Sequence, residues 1–338
     1  MLCLRGALLR RREFISLLGT TVAGWPLAVR AQQPERMRLI GVLMGWPKTD
    51  LEAQAQVAAF REGLQKLGWT ESRNIRFEYR WAELNVEAMQ RFAKELIALK
   101  PDLILSQTTP STAALLQHTR TIPIIFGVAS DPIGSGFVAS VNRPGGNVTG
   151  FAAVEGSVGS KWLELLKEIA PRVTRVAAIF NPAAAPYAEI YLNPFKAAAQ
   201  SFGVEASAIA VQDTSEIESI IGALTREPNG GLIVIPDEFT LAHRVEITSL
   251  TERYRLPSVC GFRFFAEGGG LLSYGPDLTD NFRRAATYAD RILKGEKPSE
   301  LPVEYPAKYH LAINLKTAKT LGLDVPMQFQ QRADEVIE

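Results

Sequence analysis

Residues 101–132 read PDLILSQTTPSTAALLQHTRTIPIIFGVASDP, and their alternation decides the fold. Leu103 to Ser106 is a short apolar run of strand length. Thr112 to Thr119 follows at helical spacing, and Ile122 to Val128 is a second buried run. Strand, helix, strand with short polar connections is the βαβ unit of a parallel sheet.

The same grammar extends to both sides. Upstream, Leu39 to Met44 is a strand and Leu51 to Leu67 a helix stopped at Gly68. Ile75 to Tyr79 is the next strand, and Val86 to Leu99 a helix ended by Pro101. Downstream the order repeats. Val173 to Phe180, Val204 to Ala210, Leu232 to Ile235 and Leu256 to Val259 are strands. Ala188 to Phe202 (closed by Gly203), Ile217 to Leu224 and Val245 to Tyr254 are the helices between them. Ile122-Pro123 in the first half even has a counterpart in Leu256-Pro257. The predicted architecture is α/β: two doubly wound parallel-sheet lobes joined by hinge strands. The run Leu271 to Tyr274, a helix over Asn281 to Leu293 and a tail of strands and a short helix over Val303 to Leu323 are then surplus. The chain must cross back to use them. This assigns 37–149 and about 274–296 to lobe 1, 150–273 and about 297–330 to lobe 2, and a ligand cleft to the space between.

Residues 1–31 follow a different pattern. Arg5, Arg10, Arg11 and Arg12 precede a mostly apolar stretch from Phe14 to Leu27, and Val29-Arg30-Ala31 ends it with small residues at the −3 and −1 positions. That is an export signal cleaved near Ala31, with an apolar run short for a membrane span. Arg11-Arg12-Glu13-Phe14-Ile15 resembles the twin-arginine motif, which makes the twin-arginine translocon the expected export partner and a general secretory signal the alternative. From residue 32 onward the chain has 32 basic and 35 acidic residues. A mildly acidic mature chain gives no reason to expect nucleic acid. It also lacks a further apolar segment of spanning length, so it is expected in the periplasm and not embedded in the membrane. Cys3 and Cys260 exclude a disulfide framework, and His118, His243 and His310 have no metal-ligand spacing.

Ligands of open parallel sheets sit beyond the carboxyl ends of the strands, which directs attention to the following loops. In the first lobe these carry Trp46, Thr108, Thr109, Ser111, Ser130 and Asp131; in the second, Asn181, Asp237 and Phe262. Hydroxyls at Thr108 to Thr112, at a strand end and a helix start, suit a carboxylate or small anion, or serve only as helix caps. Asp237 would pair with an ammonium group or cap its own helix. Trp46, Tyr187, Phe262 and Tyr274 would wall the pocket or pack in the core. There is no phosphate-binding glycine loop, no G-x-G-x-x-G after the first strand and no nucleophile elbow at Gly156-Ser157-Val158-Gly159. No enzymatic activity, cofactor or metal is expected. Gly145 to Gly150 reads as a turn leading to the lobe crossing.

Several segments carry a resemblance. Ile40-Gly41-Val42-Leu43, Ala59-Phe60-Arg61-Glu62-Gly63-Leu64, Leu163-Glu164-Leu165-Leu166-Lys167 and Ile313-Asn314-Leu315-Lys316-Thr317-Ala318 are four of them. Most specific are Asp131-Pro132-Ile133-Gly134-Ser135-Gly136 and Arg143-Pro144-Gly145-Gly146-Asn147-Val148-Thr149-Gly150. Over essentially the whole mature chain, the sequence resembles the ABC-transporter substrate-binding family related to the tryptophan-binding protein TrpX, with a type I periplasmic-binding-protein fold. The resemblance implies capture of a small solute and delivery to a permease driven by a cytoplasmic ATPase; some relatives bind aromatic amino acids. Gly261-Phe262-Arg263-Phe264-Phe265 departs from that pattern, and Arg263 would favour a second carboxylate on the ligand. A sensory receptor of the same fold, or an exported α/β enzyme using Asp131 or Asp237 with a hydroxyl, are the competing readings.

Overall fold

Strand β1 (Arg38–Met44) begins a run of βα units because its apolar residues face helices on both sides of a sheet. A computed structural model describes residues 36–338; the export signal expected over residues 1–31 lies outside them. The first lobe continues with α1 (Leu51–Lys66), β2 (Ile75–Trp81), α2 (Val86–Ala98), β3 (Leu103–Ser106), α3 (Thr109–Leu116), β4 (Ile124–Ala129) and β5 (Val148–Ala152). Their sheet is parallel with order β2-β1-β3-β4-β5. Side-chain caps start the helices: Asp50 accepts from the Ala53 amide and Asn85 from the Ala88 amide.

The second lobe holds α4 (Val158–Ile169), β6 (Arg175–Phe180), α5 (Glu189–Ala199), β7 (Glu205–Ala210), α6 (Thr214–Thr225), β8 (Gly230–Val234), α7 (Glu238–Ala242), α8 (Arg244–Arg253), β9 (Ser258–Cys260), α9 (Arg263–Glu267) and β10 (Leu272–Pro276). After α10 (Leu278–Leu293) come β11 (Tyr309–Asn314), α11 (Leu315–Thr320), α12 (Met327–Arg332) and β12 (Glu335–Ile337). The sheet order is β12-β11-β10-β9-β8-β6-β7. Its parallel part, β7-β6-β8-β9-β10, repeats the strand order of the first lobe, and β11 adds antiparallel to β10. Gly203, at φ +62°, closes the helical segment before β7 in the left-handed conformation. Cys260 is buried in β9, where burial pushes its thiol pKa up.

The crossings fall a few residues later than the pattern predicts. β5 keeps its ladder with β4 as far as Ala152, and β10 pairs in the second sheet as far as Pro276. Each strand completes its ladder hydrogen bonds before the chain leaves. Gly145 to Gly150 is accordingly not all turn, since Val148 already opens β5. α10 returns to the first lobe and packs on α1, where Gly63 allows the approach: a Cβ there would lie 2.6 Å from the Ala286 Cβ. The chain then stays on the first lobe beyond 297. The Thr149 hydroxyl donates to the Leu301 carbonyl at 2.6 Å, and Glu304 exchanges backbone bonds with Gly150 and Ala152. Only at β11 does it rejoin the second sheet. α3 starts at Thr109 and not Thr112, because Pro110 is tolerated in a first turn. α10 likewise starts earlier than Asn281, capped by Asp277.

Candidate functional site

Both sheets present their strand carboxyl ends to one cleft. There a narrow cavity of about 30 Å³ is lined by Trp46, Thr108, Thr109, Val128, Ser130 and Ala153 of the first lobe. The second lobe contributes Tyr187, Pro236, Asp237, Glu238, Leu241 and Phe262. Trp46, Thr108, Thr109, Ser130, Asp237 and Phe262, from the strand ends, and Tyr187, expected as an aromatic wall, are thus brought together.

Four candidates lie elsewhere, each taken up by local structure. The Ser111 hydroxyl sits inside α3, 2.7 Å from the Ser106 hydroxyl and accepting from the Thr108 amide at 2.8 Å. Asp131, at φ +43°, accepts from the Gly134 amide at 2.8 Å, so the Asp-Pro-x-Gly segment is a loop former. The Asn181 side chain accepts from the Ala183 and Ala184 amides and donates to the Val211 carbonyl. Tyr274 stacks on Tyr309 with ring centres 5.4 Å apart. Arg263, expected to favour a second ligand carboxylate, pairs with Glu335 at 2.5 Å and Glu267 at 3.0 Å, beside a separate groove.

The first-lobe wall is held from behind. Gln107 accepts from the Trp46 amide at 2.9 Å while its Nε2 donates to Gln56. The Thr109 hydroxyl accepts from the Ser130 amide at 2.9 Å. Contacts between the lobes then close the cleft. The Tyr191 hydroxyl donates to Ser130 Oγ at 3.0 Å, and Arg244 meets Asp50 at 2.8 Å. Trp46 meets Phe264 edge-on at 5.8 Å.

Two adjacent carboxylates make up the second-lobe wall, and they differ. Asp237 caps α7: Oδ1 accepts from the Thr240 amide at 2.7 Å and Oδ2 from the Asn181 amide at 2.9 Å. Both oxygens of the acid expected to meet an ammonium are therefore engaged, and burial raises its pKa to about 6. Glu238, the next residue, is 7% exposed, and its Oε2 has no hydrogen-bond partner among the described residues. Burial first, and the charge of Asp237 second, raise its pKa to about 7; a hydrogen bond from the Thr108 hydroxyl across the cleft pulls the other way. Strand-end reasoning reaches the Asp237-Glu238 loop but assigns a role only to Asp237. The available signal was the acid pair itself: when the first acid caps a helix, the second is left over.

The family model for ABC transporter substrate binding protein matches residues 51–337. The chain belongs to this substrate-binding protein family. A curated relative, the tyrosine-binding protein of Clostridioides difficile, is 25% identical over 268 residues, 78% of this chain and 75% of the relative. Among solved structures, an ABC domain from Streptococcus pneumonia in complex with L-Trp is 26% identical, covering 89% of this chain and 100% of that one with a TM-score of 0.82. A ligand-free, open substrate-binding protein with adhesive properties from Clostridium difficile is 23% identical over 89% of this chain and 99% of that one, with a TM-score of 0.69. This substrate-binding protein thus shares its two-lobed α/β fold with periplasmic binding proteins of type I. Among its described residues no helix is long and apolar enough to cross a membrane.

Proposed function

We propose that the chain is the extracytoplasmic solute-binding component of an ABC importer. It captures a small carboxylate-bearing solute, an amino acid or an aromatic acid, and passes it to a permease driven by a cytoplasmic ATPase. The observation that carries this reading is the composition of the cavity walls. Thr108 and Thr109 at the start of α3, with Ser130 beside them, offer hydroxyls where the helix dipole favours negative charge. Trp46, Tyr187 and Phe262 supply aromatic faces for an apolar body. The L-Trp complex and the tyrosine-binding relative support the same ligand class. The proposed contacts are therefore Trp46, Thr108, Thr109, Ser130, Tyr187 and Phe262.

A thermal-shift screen of the mature chain against amino acids, aromatic acids, dicarboxylates and sugars tests the reading. A ligand at a hundred times its Kd stabilises the native state by about 2.7 kcal/mol. Amino acids or aromatic acids should raise the melting temperature; a response to uncharged sugars alone refutes the carboxylate. For the periplasmic location, Arg11→Lys with Arg12→Lys should leave precursor in the cytoplasm. Unchanged export would assign the general secretory route.

A further inference from the structure

We infer that Glu238 selects ligands that carry a cationic nitrogen, and that its free carboxylate oxygen is the acceptor for that group. The inference rests on the reading that the interlobe cavity is the solute site, and it narrows the solute from any small carboxylate to an amine-bearing one.

The argument begins with the charge of the cavity. Its lining contains Asp237 and Glu238, and among the described residues none of the lining groups is Lys, Arg or His. A buried carboxylate without an opposite charge is costly. Asp237 meets that cost with two backbone amides. The Glu238 carboxylate, which lines the same cavity, has its own backbone amide and the Thr108 hydroxyl beside it, but its Oε2 is buried without a donor among the described residues, and the nearby Tyr187 hydroxyl is already committed to the Pro236 carbonyl at 3.1 Å. A group from outside the chain is the remaining source of a donor. Trp46, Tyr187 and Phe262 around the same space favour a cation through their ring faces.

The arrangement also couples recognition to closure. With the lobes apart, water would solvate Glu238; bringing them together removes that water, and an ammonium group offsets the loss. A ligand lacking the nitrogen would leave Oε2 without a donor on closure. An unpaired charge set against the wrong ligand discriminates in addition to the contact made with the right one.

The test is calorimetric titration at about pH 8, where a carboxylate of normal or modestly raised pKa is ionised. Wild type and Glu238→Gln are titrated with L-tyrosine and L-tryptophan, with their deaminated acids (hydroxyphenylpropionate, indolepropionate) and with their decarboxylated amines (tyramine, tryptamine). Losing one charged hydrogen-bond partner should weaken binding of the amine-bearing probes about 10- to 100-fold in Glu238→Gln, while the deaminated acids, no longer rejected by a bare carboxylate, should bind more tightly than to wild type. The wild-type probe series is independent of how the variant folds. Equal affinity for the amino acids and their deaminated acids overturns the inference and leaves the carboxylate reading standing. Binding of the amines as tightly as the amino acids upholds the inference and overturns the carboxylate. Binding of none of the six overturns both.

Discussion

The two walls of the cleft achieve opposite states from similar materials. On the first lobe, hydroxyls are satisfied by neighbours: Thr109 accepts from Ser130, and Ser111 and Thr112 bond within the turn that bears them. On the second lobe, Asp237 is satisfied in the same way but Glu238 is not. The first wall is a rigid surface set by its own hydrogen bonds. The second retains unspent capacity, and a site that keeps a buried acceptor without a donor is built to be completed. The contrast within the Asp237-Glu238 pair is the sharpest, because the residues are neighbours with the same charge.

The largest expected effect separates their roles. Asp237→Ala removes the α7 cap and leaves the buried Asn181 amide without its acceptor, which together should lower unfolding free energy by about 3–4 kcal/mol. A shifted urea midpoint with an unchanged m-value would register it. Glu238→Gln should cost less than about 1 kcal/mol in the same measurement, since an isosteric amide removes a buried charge. If Asp237→Ala unfolds normally and Glu238→Gln does not, the assignment of structure to one acid and recognition to the other is reversed.

Next in size is a pH dependence. In the closed chain Glu238 has a pKa raised from 4.5 to about 7, with Asp237 and Tyr187 facing it from its own lobe and the Thr108 hydroxyl from the other. Opening the lobes would hydrate it and return it toward 4.5. A raised carboxylate binds its proton more tightly in the closed form, so this contribution to ligand-free closure is fully present below about pH 4.5 and is lost as pH rises through about 7. Its upper bound is about 3 kcal/mol. Small-angle scattering of ligand-free protein should show expansion between about pH 5 and pH 8, absent in Glu238→Gln. Asp237, raised from 3.8 to about 6, contributes in the same direction over a lower window. No expansion in wild type would mean that Glu238 stays paired in the open form.

The alternation of apolar runs with amphipathic segments made both parallel sheets legible. Leu103 to Ser106 and the β8 run are buried throughout, as strands covered on both faces must be. The crossing points were less legible, because β5 and β10 end where a ladder ends and no residue marks that in the sequence. Of the site, strand-end logic located Trp46, Thr108, Asp237 and Phe262 at one cavity. It could not tell an acid that caps from one that is left over, since that depends on where α7 begins. Nor could it show that Ser111, Asp131 and Asn181 bond to their own loops, because a free polar side chain and a spent one have the same composition. The Tyr191 to Ser130 contact joins positions 61 residues apart, beyond the reach of any local pattern.

The smallest effect concerns the rim, where closure is held by charge and not by buried contact. Arg244 lies across the cleft from Asp50, stacked over Phe264 at 5.7 Å, with its side chain 32% exposed against 8% for Asp50. The exposed partner is screened by solvent, so the pair should contribute about 1 kcal/mol or less to closure. Arg244→Ala should therefore weaken ligand binding only about 3- to 5-fold, mostly through faster dissociation. Part of that loss should vanish as salt is raised in the wild type, since the Debye length falls to about 3 Å at 1 M. Arg244→Lys, which keeps the positive charge but not the planar guanidinium over Phe264, should restore most of the affinity if attraction across the rim is the cause. Failure to restore it would place the effect in the stacking of Arg244 on Phe264, and the rim would then act through packing like the wall beneath it.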